Sequence, residues 1–278
     1  MGVTNEQMIA FWNGPGGEAW ATNADAQDRE LQELGDAALG ALAVASGASV
    51  LDVGCGAGTT TLTLAGRVGA GGRVVGVDVS APVLAVARRR AAGVANVTFV
   101  QADAQTAALP GAPFDAVYSR FGLMFFDQPE AAFANLHRAT APSGRLAFVC
   151  WQATTANPWY DAPITALRGL PGVDLPPPLA PEEPGPFAFA DPDRVAQILG
   201  AGGWQRTELQ EYTDEIVDDL DRRVEFSLRQ GPAARALAGA APEVREVAAT
   251  RMRDALAARL IDGRVRLARA AWIVTAQA

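Results

Sequence analysis

No lysine occurs in the 278-residue chain; all 23 basic residues are arginine. A phosphate-gripping Walker loop needs its lysine, and pyridoxal phosphate needs one for its Schiff base, so both chemistries are excluded. Histidine is almost missing too. The single one, His137, falls in the segment LHRAT, which reads as an outer helix, so histidine-driven proton transfer is not expected. The two cysteines, Cys55 and Cys150, make neither a CxxC pair nor a disulfide framework. No apolar run reaches the roughly 18 residues that a spanning helix needs. The opening MGVTNEQ lacks the basic and apolar regions of a signal peptide, and Glu6 stands where a myristoylation motif wants Ser or Thr. Basic charge is in deficit: the formal net charge is −8 and the pI about 4.8. An acidic surface repels phosphate backbones and anionic lipid, so neither nucleic acid nor membrane is an expected partner. The one basic cluster, Arg88-Arg89-Arg90, reads as a solvated helix end. The expected location is cytoplasmic, and the Arg- and Ala-rich composition suits a GC-rich bacterial genome.

What is present is apolar and alternating. Apolar residues make up 49% of the chain, enough for one sizeable core. Leu31, Leu34, Ala38 and Leu42 recur at helical spacing within residues 25–46. Short apolar strands follow at 49–53, 73–78, 97–101, 114–118 and 145–151, with helices between them. Ser80 reads as the cap of a helix at 81–92, with Pro82 in its first turn. Near-continuous apolar strands joined by helices predict a parallel sheet covered on both faces. After Trp151 the pattern changes. PPPLAPEEPGP (residues 176–186) reads as a stiff connector. Asp191 caps a helix, 204–216 reads as strand, and residues 244–260 carry a helical apolar stripe. RVRLARAAWIVTAQA closes the chain as a long strand. The expectation is a single domain over 1–278, with a helical lid at 1–46, a cofactor-binding core at 47–151, and cap helices with closing strands at 152–278.

The stretch VLDVGCGAGTTT places a glycine turn straight after the first strand. In open α/β sheets ligands bind at that end of the strands, where strand order reverses. A dinucleotide fingerprint spaces its glycines G-x-G-x-x-G, but here Gly54, Gly56 and Gly58 alternate and the third arrives one residue early. Asp52, two positions before the first glycine, is unwelcome beside a pyrophosphate and tolerable beside a cationic end. Asp78 ends the second strand, where a carboxylate can accept both ribose hydroxyls. Asp103 follows the third, within reach of an adenine amino group. Three acids in those places suit an adenosine ligand that is uncharged or cationic, namely S-adenosylmethionine.

The motifs VLDVGCGAG, VVGVDVS, VQADAQ, FDAVYSRFGLMFF and HRATAPSGRLAFVCW, in that order, resemble class I S-adenosylmethionine-dependent methyltransferases over Val50–Trp151, with the ubiquinone/menaquinone-type C-methyltransferases among the close patterns. The resemblance implies a Rossmann-like, mostly parallel, seven-stranded sheet with helices on both faces. It implies that Asp52 and the backbone of Gly54, Cys55 and Gly56 hold the methionine moiety. It also places Asp78 at the ribose, Val79 against adenine, Asp103 and Ala104 at the adenine edge, and Ser119 beside the sulfonium. Gly58 stands between a ligand role and plain helix packing. The late helical cap departs from the quinone enzymes and puts a quinone substrate in doubt.

Trp12 and Trp20, in FWNGPGGEAW, flank a glycine stretch expected to be flexible and are candidates for a lid whose aromatic faces attract a sulfonium. Arg120, Phe121, Met124 and Phe125 follow the fourth strand, and Trp151, Trp159 and Tyr160 the fifth; together they are the candidate substrate contacts. Arg120 either holds a substrate carboxylate or pairs with a neighbouring acid. A general base is needed only for a protonated nucleophile; Tyr160 and Arg120 are the weak catalytic candidates. The acids of TDEIVDDLD (Asp214, Glu215, Asp218, Asp219) read as the start of a solvated helix, so no metal is expected. The expected function is SN2 methyl transfer to a small hydrophobic metabolite with a carbon, nitrogen or oxygen acceptor, by a monomer or homodimer. The alternative is a protein of this fold that binds S-adenosylmethionine without transferring its methyl group.

Overall fold

The computed structural model describes residues 4–175 and 180–278. Its elements run α1 (Asn5–Asn13), α2 (Pro15–Thr22), α3 (Ala24–Leu42), β1 (Ser49–Val53), α4 (Thr59–Val68), β2 (Arg73–Asp78), α5 (Ala81–Arg90), β3 (Val97–Gln101), β4 (Phe114–Arg120), α6 (Pro129–Arg138), β5 (Thr140–Trp151) and α7 (Pro158–Thr165). There follow α8 (Pro192–Ala201), β6 (Gln205–Asp218), α9 (Leu220–Arg229), α10 (Gly231–Ala236), α11 (Pro242–Ala257), β7 (Leu260–Ile261) and β8 (Arg264–Gln277).

The strand order is β3-β2-β1-β4-β5-β8-β6. β1 pairs in parallel with both β2 and β4, β2 with β3, and β4 with β5, while β8 runs antiparallel to β5. The sheet is thus Rossmann-like and mostly parallel. It has eight strands where seven are expected; the extra one, the two-residue β7, lies off the main path and pairs only with β8. The sequence from β1 to β2 goes one way across the sheet and from β4 to β5 the other, so strand order reverses between β1 and β4.

Two compact units divide the chain. The first comprises Met1–Trp151, Ala180–Tyr212 and Ala271–Ala278. Its strands are buried as their apolar runs demand: Val50, Leu51, Val117, Phe114 and Phe148 are wholly or almost wholly sequestered. Helix α3 presses onto β4 at Gly35, where an added Cβ would stand 2.7 Å from Arg120 Cδ. There the buried Tyr118 hydroxyl donates to the Gly35 carbonyl at 3.0 Å.

The second unit comprises Gln152–Leu179 and Thr213–Ala270. Leu167, Leu170, Ala233, Leu237, Ala248 and Met252 form its core. The buried Asn157 pins it: its amide donates to the carbonyls of Gln152, Ala153 and Ala270, and its Oδ1 accepts from the Ala270 N–H at 2.9 Å.

Several local expectations are corrected. FWNGPGGEAW is not a flexible loop but two helices. Pro15 opens the second, and Gly17 is required because a Cβ there would lie 1.9 Å from the Trp12 carbonyl oxygen. Ser80 occupies the N-cap position of α5 as expected, but its side chain makes no capping bond; its hydroxyl donates to the Trp12 carbonyl instead, at 2.5 Å. Of the expected stiff connector, residues 176–179 lie outside the described residues. In the rest, Pro181 and Glu182 are exposed while Pro184 and Gly185 are buried, and the Gly185 N–H donates to the Met124 carbonyl at 3.0 Å. TDEIVDDLD ends β6 before it opens α9. Only Asp219 caps that helix, accepting from the N–H groups of Asp221 and Arg222, while Asp214 makes a two-pronged ion pair with the buried Arg269.

Candidate functional site

The glycine turn follows β1 at the reversal of strand order. Gly54, Gly56 and Gly58 all take positive φ, at 66°, 53° and 83°, which a side chain would strain. A Cβ on Gly54 would also sit 2.8 Å from Gly122 Cα, in the turn that follows β4, so two backbones cross there with no room between them. Gly58 serves packing as well: a Cβ would lie 2.9 Å from the Phe99 ring. The N–H groups of Gly54 and Cys55 both donate to the Val77 carbonyl, tying the turn to β2.

Three carboxylates stand at the ends of β1, β2 and β3. Asp52 is fully buried. Its Oδ2 accepts from the hydroxyls of Thr60 (2.8 Å) and Thr61 (2.6 Å), and its Oδ1 has no partner. Burial drives its carboxyl up to about 6, against the pull of the two threonines and Arg120. Asp78 accepts from the Gly56 N–H on one oxygen and the Ser80 N–H on the other, each at 2.9 Å. Burial raises it also, with those N–H groups opposing. Asp103 Oδ1 accepts from the Gln105 N–H at 2.9 Å, and Oδ2 from Asn5 Nδ2 (2.9 Å) and the Thr106 hydroxyl (2.8 Å). Cys55 is buried inside the turn, and its thiol is pushed well up by burial and by the charges of Asp78 and Asp52.

The helices α1 and α2 are laid against this end of the sheet. Asn5 donates its N–H to Asp127 and its side chain to Asp103. Asn13 donates to the Val79 carbonyl at 2.9 Å and accepts from the Ala81 N–H at 3.1 Å. Trp12 meets Trp20 and Phe125 edge-on, at 5.9 and 5.3 Å between ring centres. Trp20 Nε1 lies 3.7 Å from where a Cβ on Gly56 would be. The sequence pattern flagged the tryptophans; it did not flag Asn5 and Asn13, which carry no motif.

Ala104 is buried, and its carbonyl accepts from Asn135 Nδ2. Ser119 is buried at the end of β4, its hydroxyl accepting from the Gly122 N–H at 3.2 Å. Phe121 follows at φ 60°, a costly conformation for a bulky residue, and its ring stacks on Trp151 at 4.3 Å. Met124 is buried in the short turn after it. Of the two alternatives for Arg120, the geometry has the acid pair, with Asp28. Arg90 is likewise no solvated end: it is paired with Asp25 and Asp28. Asp28 and the threonines at 59–61 are further site-forming residues that sequence reasoning missed; only the run TTT straight after the glycine turn hints at them. Trp159 and Tyr160 belong to α7 of the second unit, where Trp159 Nε1 donates to Asn157 Oδ1. Burial raises the Tyr160 hydroxyl, with Arg235 opposing, so it keeps its proton at neutral pH. His137 lies on α6, edge-on to Trp204 at 5.4 Å. Among the described residues no three His, Cys, Asp or Glu side chains gather to hold a metal, and no helix is long and apolar enough to cross a membrane.

A glycine turn at the strand-order reversal, with a carboxylate ending each of three adjacent strands, defines an α/β domain built for a nucleoside-bearing cofactor. Comparison narrows this: residues 50–144 match the family described as a methyltransferase domain. A demethylmenaquinone methyltransferase of Thermus thermophilus is 43% identical over 98 residues, which are 35% of this chain and 44% of that enzyme. A nocamycin O-methyltransferase of Saccharothrix syringae is 29% identical over 202 residues, 69% of this chain and 67% of that one. The chain thus spans less than half the length of the first relative and about two thirds of the second. In fold it is similar to phosphoethanolamine N-methyltransferase 2 of Haemonchus contortus, solved with S-adenosyl-L-methionine (TM-score 0.58, 16% identity, 97% of this chain and 59% of that one).

Proposed function

We propose that the protein is an S-adenosylmethionine-dependent methyltransferase acting on a small, largely apolar metabolite. One observation carries the reading: a fully buried carboxylate, Asp52, keeps an oxygen without a partner beside a glycine turn, in line with Asp78 and Asp103. An unpartnered buried acceptor is costly unless a ligand completes it, and a cationic amino group is the donor such an oxygen prefers. The cradle fits the rest of the cofactor too, since no side chain stands in the turn at Gly54 or Gly56.

When bound, S-adenosylmethionine supplies an electrophilic methyl group on a positive sulfur. The chain's part is to bind, align and keep water out. Asp52 receives the ammonium and Asp78 the ribose hydroxyls. Asp103 and Ala104 take the adenine edge, with Val79 against its face. Trp12 and Trp20 offer aromatic faces to the sulfonium, an attraction of about 0.5–2 kcal/mol. Phe121, Met124, Phe125 and Trp151 give the acceptor an apolar surround. Arg120 is neutralised by Asp28 and not available to an anionic substrate, which favours a neutral acceptor.

The test is a calorimetric titration with S-adenosylmethionine, S-adenosylhomocysteine and NAD, followed by an assay for S-adenosylhomocysteine release with panels of neutral aromatic and isoprenoid acceptors. Binding of both adenosyl ligands and not NAD, with turnover on a neutral acceptor, is expected. Binding of NAD alone overturns the cofactor; binding without turnover on any acceptor favours the non-transferring alternative.

A further inference from the structure

We propose that Asp28 is a positioning residue of the cofactor site, gathering the glycine turn from behind and neutralising Arg120 so that the site admits a cationic ligand. The inference rests on reading that turn as the S-adenosylmethionine site.

Asp28 lies on α3, outside every recognised motif. Its Oδ2 accepts from the Thr59 hydroxyl at 2.6 Å and from Arg90 Nη1 at 2.8 Å; its Oδ1 accepts from Arg120 Nη2. The same Arg90 nitrogen reaches the Ala57 carbonyl at 3.2 Å, inside the turn, and Thr59 Oγ1 at 2.9 Å. One carboxylate therefore joins the turn, the first residue of α4, the end of α5 and the end of β4. The side chains of Asp28 and Arg120 are only 13% and 11% exposed, so solvent screens the pair little. Burial alone would raise the Asp28 carboxyl. The Thr59 hydrogen bond, the charge of Arg120 and the hydrogen bonds from Arg120 and Arg90 overcome this and hold it below the usual range.

The charge balance gives this hub a functional edge. Asp25 and Asp28 cancel Arg90 and Arg120, two against two. Arg120 is near enough that its charge also acts on Asp52, the carboxylate with the open oxygen. Left without Asp28, the guanidinium would throw an uncompensated positive charge on the place where a cation must bind. Both ligands carry the ammonium assigned to Asp52; only S-adenosylmethionine adds a sulfonium, assigned beside Ser119 next to Arg120, which gives it a net positive charge where S-adenosylhomocysteine is neutral overall. The two ligands thus separate a charge role from a merely structural one.

The experiment measures both affinities in Asp28→Asn, Arg120→Met and the double variant, with thermal unfolding alongside. Asp28→Asn is expected to weaken S-adenosylmethionine about tenfold and S-adenosylhomocysteine no more than about twofold. The double variant, which removes the stranded charge, is expected to restore the ratio of the two affinities. Arg120→Met alone is expected to shift that ratio the other way, toward S-adenosylmethionine, and tests the idea even if Asp28→Asn folds poorly. Equal losses for both ligands, or an unchanged ratio in Arg120→Met, overturn the proposal while the site assignment stands. If the wild-type protein binds neither ligand, the site assignment itself fails.

Discussion

Lowering the pH through 6 should weaken S-adenosylmethionine binding, and Asp52 should be the cause. The carboxyl is wholly buried and raised from 3.8 to about 6. That elevation of about two units corresponds to about 3 kcal/mol favouring the protonated form in the folded chain. The folded state therefore holds more protons than the unfolded chain between pH 4 and 6. Stability from this group is greatest below its unfolded value and falls as pH rises through the folded one. The ligand has the opposite preference, since an ammonium needs the ionised form. With binding confined to that form, affinity is flat above about pH 7 and falls about tenfold at pH 5. Calorimetric titration across pH 4.5–7.5 reads this directly, with circular dichroism confirming the fold at each pH. Repeating it at pH 6 in two buffers of different ionisation enthalpy should reveal release of about half a proton. Asp52→Asn should bind weakly and lose the pH dependence, whereas His137→Gln, which removes the chain's only imidazole, should keep it. A flat wild-type profile, or a transition that survives in Asp52→Asn, would refute the reasoning.

Asp78→Ala removes an acceptor for two ribose hydroxyls and should weaken S-adenosylmethionine by roughly a hundredfold, about 3 kcal/mol. The Gly56 and Ser80 N–H groups lose their acceptor as well, so the unfolding midpoint should also drop; unchanged calorimetric affinity would overturn the ribose assignment. Gly17→Ala puts a methyl group 1.9 Å from the Trp12 carbonyl and should part α2 from α1. Limited proteolysis should then cut first within residues 4–23, and a digestion pattern like that of the wild type would contradict the tight packing inferred there. Asp214→Ala takes a two-pronged carboxylate away from Arg269, which is only 7% exposed in its side chain. It should destabilise the second unit by about 3 kcal/mol, seen as faster hydrogen exchange over residues 264–270; unaltered exchange would count against the pair.

The parallel core was legible because its signals are local. Apolar runs such as VLDV, RVVGVD and FDAVY need burial on both faces wherever they stand, and glycines at positions 54, 56 and 58 can be read without knowing what lies opposite. The carboxylates Asp52, Asp78 and Asp103 were legible for the same reason, since each ends or follows a strand. The helical lid agrees with α1 and α2, but the glycine stretch between the tryptophans is not the flexible link expected, because glycine reports freedom in the isolated chain, whereas Gly17 is demanded by a carbonyl oxygen that approaches only in the folded state. Asp28 was invisible for a different reason. Its partners stand 62 residues away at Arg90 and 92 residues away at Arg120; its spacing from Leu31 and Gly35 puts it on the buried face of α3, but nothing local names either partner. Asn5 and Asp103 are 98 residues apart and equally silent. The residues proposed to contact the ligand follow strand ends and leave a local pattern. The residues that set the charge and rigidity around it are recruited from wherever the fold brings a side chain within reach, and their sequence positions are set by topology alone. A site of this kind therefore shows its strand-end pattern in the sequence, whereas the charge balance around Arg120 emerges only in three dimensions.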